Sequence, residues 1–271
     1  MRILVFGGTV FLSAATAQLA LARGHEVTVA SRGRSGAPPA GARVVELDRA
    51  APIPPALAAE EFDAVIDVGR APSWVRRAAD IWTHAHWTFV STISVYADDA
   101  TPGGGPGTLA LHPAEHDDLD LAEHPEAYGP MKLGCEEIVL ALERSTVVRP
   151  GLIVGPGDPS GRLTYWVERL AAAAPGEQVL TSGRTAPVQV VDVRDLAAML
   201  VHAAEHDLRG VVDAVGPVMP LGGLLDRVAI GVGVDPASLI WCELADAELE
   251  AADVAPWMGP RSLPLWLPRP E

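Results

Sequence analysis

Tyr128 and Lys132 stand four residues apart in the run Ala127-Tyr128-Gly129-Pro130-Met131-Lys132, a spacing that puts both side chains on one face of a helix. A phenol is a poor proton donor or acceptor near neutrality, because its ordinary pKa is about 10. A neighbouring ammonium stabilises the phenolate and draws that value toward the working range, which would make the two residues a general acid–base pair. The spacing recurs by chance in many helices, so its meaning depends on what the other elements bring to it.

The stretch Met1 to Arg34 supplies the first of these. Arg2 to Phe6 is a short apolar run followed at once by Gly7-Gly8-Thr9, the composition of a buried strand that ends in a tight turn. From Phe11 to Arg23 the residues are mostly Ala and Leu, strong helix formers, and Gly24 stands where a left-handed cap favours a residue without Cβ. His25 to Ala30 resumes strand composition. Strand, turn, helix and strand make a βαβ unit whose helix N-terminus aims unpaired N–H groups and a positive dipole at the turn, a site for a pyrophosphate. The dinucleotide fingerprint is incomplete, with Gly7 present but Val10 and Ser13 at the two later glycine positions. Beyond the second strand come Ser31-Arg32-Gly33-Arg34. An acid there would hold the ribose 2′-hydroxyl of NAD, whereas arginine suits a 2′-phosphate. Arg32 and Arg34 therefore favour NADP over NAD, the plain alternative being arginines in a solvated loop.

Ile3 to Ala22 carries no charged residue and ends in Ala20-Leu21-Ala22, so it superficially matches a signal peptide or a membrane span. Gly7-Gly8-Thr9 and Gln18 interrupt the run, and its removal would leave the second strand without a partner. It is read as part of the fold.

The rest of the chain repeats the rhythm. Strands are expected at 42–47, 62–68 and 87–96, with a proline-rich loop at 51–56 and a helix from Ser73 to about Ala85. Such alternation implies a doubly wound parallel sheet with helices on both faces, a Rossmann-type α/β fold. Asp48 follows the third strand, where it either meets an adenine amino group or serves a turn. Gly69 and Arg70 follow the fourth, at the carboxyl edge where open parallel sheets place their ligands. Residues 98–126 break the pattern and read as a lid or substrate wall. Their His112, His116 and His124 lack a short fixed spacing, so no metal is expected. The helix carrying Tyr128 and Lys132 should run to about Arg144. After Pro150 a helix is expected at 162–174, a strand at 188–192, a helix capped by Asp192 or Asp195 running through His206, a strand at 211–215 and a helix at 221–232. The tail from Pro256 to Pro270, with Trp257 and Trp266, reads as extended. The division expected is 1–150 for dinucleotide binding and 151–271 as a smaller, mainly substrate-binding lobe, with 188–215 returning to the sheet.

Composition narrows the function. The chain has 271 residues, 49% of them hydrophobic, enough to bury a full α/β core. A formal net charge of −15 argues against nucleic acid and against anionic membranes, both of which need a basic face. The two cysteines, Cys135 and Cys242, are too few for a disulfide framework or a zinc site and fit a reducing, cytoplasmic setting. Cys135 reads as helix packing rather than a nucleophile.

These residues, in their order, resemble the extended and atypical short-chain dehydrogenases/reductases, the group that contains nucleotide-sugar epimerases and dehydratases. The marks are Gly7-Gly8-Thr9 with Phe11, Arg23 to Val29, Val90-Ser91-Thr92-Ile93-Ser94-Val95-Tyr96, Tyr128-x-x-x-Lys132, Val148 to Gly151 with Gly155-Pro156-Gly157-Asp158, and Val191 to Ala197. The resemblance implies a triad of Thr92, Tyr128 and Lys132 beside a nicotinamide ring, with Ser94 as the alternative to Thr92. Tyr128 would move the proton, Thr92 would orient the reacting oxygen, and Lys132 would also hold the cofactor ribose. Cofactor contacts are expected from Gly7, Thr9, Phe11, Leu12, Arg32, Arg34, Asp48, Val68, Gly69 and Lys132. Sugar dehydratases of this group carry an Asp-Glu pair directly after the catalytic Thr; Ile93-Ser94 stands here, so dehydration is not expected. The function implied is reduction of a small carbonyl, or oxidation of the alcohol, with NADP or NAD. Epimerisation and a non-catalytic nucleotide-binding role are the alternatives, and a homodimer is a further expectation.

Overall fold

The computed structural model describes residues 1–98, 101–256 and 262–265; Trp257 and Trp266 of the tail lie outside them. In chain order the elements used below are β1 (Arg2–Phe6), α1 (Phe11–Ala22), β2 (Glu26–Ser31), β3 (Arg43–Glu46), α2 (Pro55–Ala58), β4 (Ala64–Asp67), α3 (Pro72–Ala79), β5 (His86–Val90), α4 (Tyr128–Leu140), β6 (Ser145–Pro150), β7 (Leu152–Val154), α5 (Arg162–Ala171), β8 (Gln178–Thr181), β9 (Pro187–Val188), β10 (Val190–Asp192), α6 (Val193–Glu205), β11 (Gly210–Ala214), β12 (Met219–Pro220), α7 (Leu221–Gly231), β13 (Ile240–Glu243) and α8 (Asp246–Ala251). They form two compact units, Met1–Ile153 with Val191–Val215, and Val154–Val190 with Gly216–Glu271.

The first unit is built on a seven-stranded sheet in the order β11-β6-β5-β4-β1-β2-β3, every neighbouring pair parallel. The strand order reverses between β1 and β4, the crevice where open parallel sheets bind ligands. Side chains alternate across a strand, and β1 shows the result. Ile3 and Val5 join the core shared with Leu196 and Leu200 of α6, while Leu4 and Phe6 join Val75 of α3 and Val139 of α4. The sheet is therefore covered on both faces, as its unbroken apolar strands require.

Asp67, at the end of β4, is fully buried, a placement that costs several kcal/mol of desolvation, on the order of magnitude for a lone ion, unless it is paired. Arg49 supplies the partner with two bonds of 3.0 and 2.9 Å, and its guanidinium lies 3.8 Å from the centre of the Phe6 ring.

Several boundaries differ from those expected. The proline-rich stretch at 51–56 is not all loop, because Pro55 opens the one-turn helix α2, a position where its missing N–H costs nothing. Strand β5 stops at Val90, since the Thr92 side chain accepts a hydrogen bond from the Ser94 N–H and winds Ile93–Val95 into a 3-10 turn. Helix α3 ends at Ala79 and α4 at Leu140, each earlier than expected, because the chain must turn back in time to enter β5 and β6. Asp192 caps α6, accepting from the Arg194 N–H.

In the second unit, β8 pairs with β13 and β9 with β12. The β8–β13 pair has no clear trace in the sequence, the two short runs being 62 positions apart between Gln178 and Ile240. Trp166 is fully buried there, and its Nε1–H donates to the Pro264 carbonyl at 2.8 Å, so this aromatic belongs to the core of the unit. Among the described residues no helix is long and apolar enough to cross a membrane.

Candidate functional site

The carboxyl edge of the first unit gathers the residues singled out above. Gly7 and Gly8 follow β1 with φ of +100° and +79°, conformations open to glycine at little cost. A Cβ on Gly8 would also lie 2.6 Å from a Val29 methyl. Val10 has extended backbone, φ −135°, and so needs no glycine for its conformation. The left-handed φ falls instead on Phe11, at +44°, an uncommon state for a residue with a side chain. Ser13 takes the third fingerprint position, buried, with its hydroxyl donating to the Val10 carbonyl at 2.9 Å. Helix α1 has neither a side-chain cap nor an acidic residue in its first turn, so its leading N–H groups stay open to an anion. Phe11 and Leu12 both pack into the core, so any contact they make with a phosphate is through the backbone.

The segment after β2 closes over this turn. A Cβ on Gly36 would lie 2.3 Å from the Thr9 carbonyl oxygen, which brings the loop bearing Arg32 and Arg34 against Thr9. Both arginines are exposed, and neither forms an ion pair within the described residues. Asp48 is exposed and its carboxylate accepts from the Ala50 N–H at 3.0 Å, the turn role foreseen as one alternative. Val68 packs beside the core near Gly7. Gly69 donates its N–H to Asp67 at 2.7 Å and offers its carbonyl to Lys132 at 2.7 Å.

Thr92 and Tyr128 come together where β5 ends and α4 begins, and Lys132 follows one helical turn along α4. The Thr92 hydroxyl lies close enough to the Tyr128 phenol to favour its ionised form; Tyr128 is 37% exposed, Thr92 8% and Lys132 3%. Ser94, the alternative to Thr92, is exposed and bonded to the Thr92 hydroxyl at 3.1 Å. Lys132 Nζ donates to the carbonyls of Gly69 and Val90, the latter at 2.5 Å. Burial lowers its pKa to about 8, against the pull of nearby negative groups that include Asp67 and Glu136.

The electrostatics correct one expectation. Lys132 was expected to draw the Tyr128 phenol downward, but burial pushes that pKa above its ordinary value, opposed by the neighbouring Thr92 hydroxyl and the charge of Arg70. The phenol is thus held in its protonated form, and the cation that acts on it is Arg70, one residue past Gly69. Burial also pushes the Cys135 thiol up to about 12, which removes it as a nucleophile at neutral pH.

Three residues that sequence reasoning passed over hold this arrangement. Gly129 is the first: a Cβ there would lie 1.9 Å from the Ser94 carbonyl oxygen, so only glycine lets α4 start hard against the turn that carries Thr92. A Tyr-Gly pair just inside a helix was the available signal. Gly129→Ala is expected to separate Tyr128 from Thr92 and lower turnover by about 10²-fold, the scale for a misplacement of about 1 Å. Steady-state kinetics on variant protein shown to be folded by circular dichroism would check this. The others are Glu136 and Asp67, the carboxylates near Lys132.

The acidic segment is tied to the same elements. Asp118 accepts from the Ser73 N–H at 3.0 Å and from its hydroxyl at 2.5 Å, at the start of α3, and Glu115 N–H donates to Pro130 of α4 at 2.9 Å. A shallow cavity lies between Arg70, Trp74, Asp118 and Met131. Among the described residues His112, His116 and His124 do not converge on one another as ligands.

Comparison with known proteins bears on this geometry. The model of the NAD dependent epimerase/dehydratase family matches residues 3–215. The 2'-dehydrokanamycin reductase of Streptomyces kanamyceticus is 31% identical over 270 residues, covering 93% of this chain and 73% of that protein. Two solved structures share the fold. The UDP-N-acetylglucosamine 4-epimerase of Bacillus cereus aligns with a TM-score of 0.68 and 15% identity, over 90% of this chain and 86% of that one. The UDP-glucose 4-epimerase of Thermotoga maritima, solved with UDP-glucose, aligns at 0.66 and 18%, over 92% and 87%.

Proposed function

Because this chain belongs to the NAD-dependent epimerase/dehydratase family, we propose that it is a nicotinamide-dependent reductase of a small carbonyl compound, with Tyr128 as the general acid. The observation that carries this reading is the pairing of the Tyr128 phenol with Thr92 at the carboxyl edge of the sheet, where Gly129 packs against the Ser94 carbonyl, with the buried amine of Lys132 one helical turn along α4.

The residues fit a dinucleotide. The Gly7-Gly8 turn has a floor that a Cβ would fill, α1 presents an uncapped N-terminus, and Lys132 is a buried donor between two strand ends. Gly7, Thr9 and the backbone of Phe11 and Leu12 would hold the pyrophosphate, Val68 and Gly69 would flank the nicotinamide half, and Lys132 would reach its ribose. When bound, the nicotinamide supplies hydride to the substrate carbon. Thr92 orients the carbonyl oxygen, and Tyr128 delivers a proton to it. The charge of Arg70, which reaches the same phenol, favours negative charge as it develops on that oxygen.

Similarity to a protein named as a reductase supports this direction. The epimerase reading is supported by the two solved neighbours, and Ile93-Ser94 in place of an Asp-Glu pair speaks against dehydration. The test is oxidation of NADPH and NADH, followed by the loss of reduced-nicotinamide absorbance, against a panel of ketones headed by 2'-dehydrokanamycin. Failure to bind either nucleotide in calorimetry would overturn the proposal.

NADP is the cofactor the chain itself favours, on the strength of Arg32 and Arg34 beyond β2. Losing a charge-assisted bond costs about 1.5–3 kcal/mol, so the Arg32→Ala, Arg34→Ala variant should bind NADPH at least about 10-fold more weakly while NADH is little affected. Equal weakening of both would show that the arginines do not read the 2′-phosphate.

A further inference from the structure

We propose that His202, Glu205 and His206 form a binding site for one divalent transition-metal ion of the zinc class, at the last turn of α6. The two histidines are one helical turn apart and share a face, with ring centroids 4.0 Å apart. One ligand atom from each of the three residues lies within 4.8 Å of the others. Imidazole nitrogen and carboxylate oxygen are ligands that such ions take, and histidines at i and i+4 on one helix face can close on a single ion. Bonds of about 2.0–2.2 Å require these atoms to draw together by about 1 Å, a rotamer adjustment within reach of the two exposed rings.

The surroundings prepare the ligands. His206 Nδ1 lies 3.0 Å from the His202 carbonyl. Only a protonated nitrogen can donate to that oxygen, which leaves the Nε2 lone pair for a metal. Arg23 Nη1 and His25 Nε2 hold the two oxygens of Glu205 at 2.6 and 2.9 Å. A carboxylate has about four lone-pair directions, so both oxygens keep capacity, and their outer partners restrain the group as they do in established metal sites. His206 is the C-cap of α6, where the negative end of the helix dipole favours a cation.

The place of this cluster in the unit assigns it a structural role. Arg23 and His25 belong to the turn between α1 and β2, so the ion would join that turn to the end of α6. This is the amino-terminal edge of the sheet, opposite the edge that carries Gly7 and Thr92.

Titration of tag-free protein with ZnCl2 in a calorimeter should show one saturable site per chain. His202→Ala and His206→Ala should each weaken it by about 10-fold or more, and both rings are exposed, so the variants keep the fold, as circular dichroism will verify. Zn2+ should raise the melting temperature of the parent but not of the double variant. No saturable binding by the parent, or equal affinity in the double variant, would overturn the proposal.

Discussion

Tyr128→Phe is expected to lower the turnover of carbonyl reduction by about 10²- to 10⁴-fold, the range for loss of a positioned general acid, while affinity for the nucleotide changes little. Phenylalanine keeps the ring and loses only the hydroxyl that neighbours Thr92. Because burial raises the phenol's pKa, the protonated donor is present throughout the neutral range. The basic limb of the pH profile then belongs to Lys132, whose pKa is lowered to about 8. Its ammonium is present below that pH and is lost as pH rises through it, so kcat/KM for reduction should hold up to about pH 8 and fall beyond. Stopped-flow and steady-state rates on the two proteins across pH measure both effects. Parent-like turnover by the variant would end the proton-transfer assignment.

Glu136→Gln should cost about 3–5 kcal/mol of folding stability, the penalty for leaving a buried charge without its partner. The side chains of Arg149 and Glu136 are 4% and 1% exposed, and two hydrogen bonds of 3.0 and 2.6 Å join them. Arg149 continues to the Tyr96 hydroxyl at 3.0 Å, and that hydroxyl donates to Asp213 at 2.8 Å. The Ser91 hydroxyl donates to Glu136 from the other side. The pair thus anchors the residue before Thr92 and the helix turn after Lys132.

Urea unfolding measures the loss, and Arg149→Met added to Glu136→Gln should recover much of it, since neither position then holds a buried charge without its partner. A second effect separates support of the fold from influence on the site. Removing a negative charge near Lys132 lowers that amine's pKa further, so the basic limb should move to lower pH. An unmoved limb in folded variant would confine Glu136 to a structural role.

Local periodicity carried most of the fold. The apolar run of β1, the Ala-Leu helix after it and the return to strand composition at His25 follow from neighbours in the chain, and the parallel sheet follows from their repetition. Boundaries were less legible where a side chain overrode composition. Trp87 to Tyr96 reads as one strand, yet the Thr92 hydroxyl ends it at Val90 by capping the next turn. The β8–β13 pair was illegible because its strands are short and far apart in sequence.

The site divides along the same line. From the sequence alone came the glycine turn, the arginines after β2, and the common face of Tyr128 and Lys132, all consequences of spacing within a single turn or helix. Only the tertiary structure decided that the phenol's pKa rises, that Arg70 rather than Lys132 is the cation acting on it, that Gly129 must lack a side chain against Ser94, and that Glu136 and Arg149 neutralise each other. Each of those depends on the distance and burial between segments remote in the chain, and electrostatic energy is set by separation and surrounding dielectric, which no local pattern of residues contains.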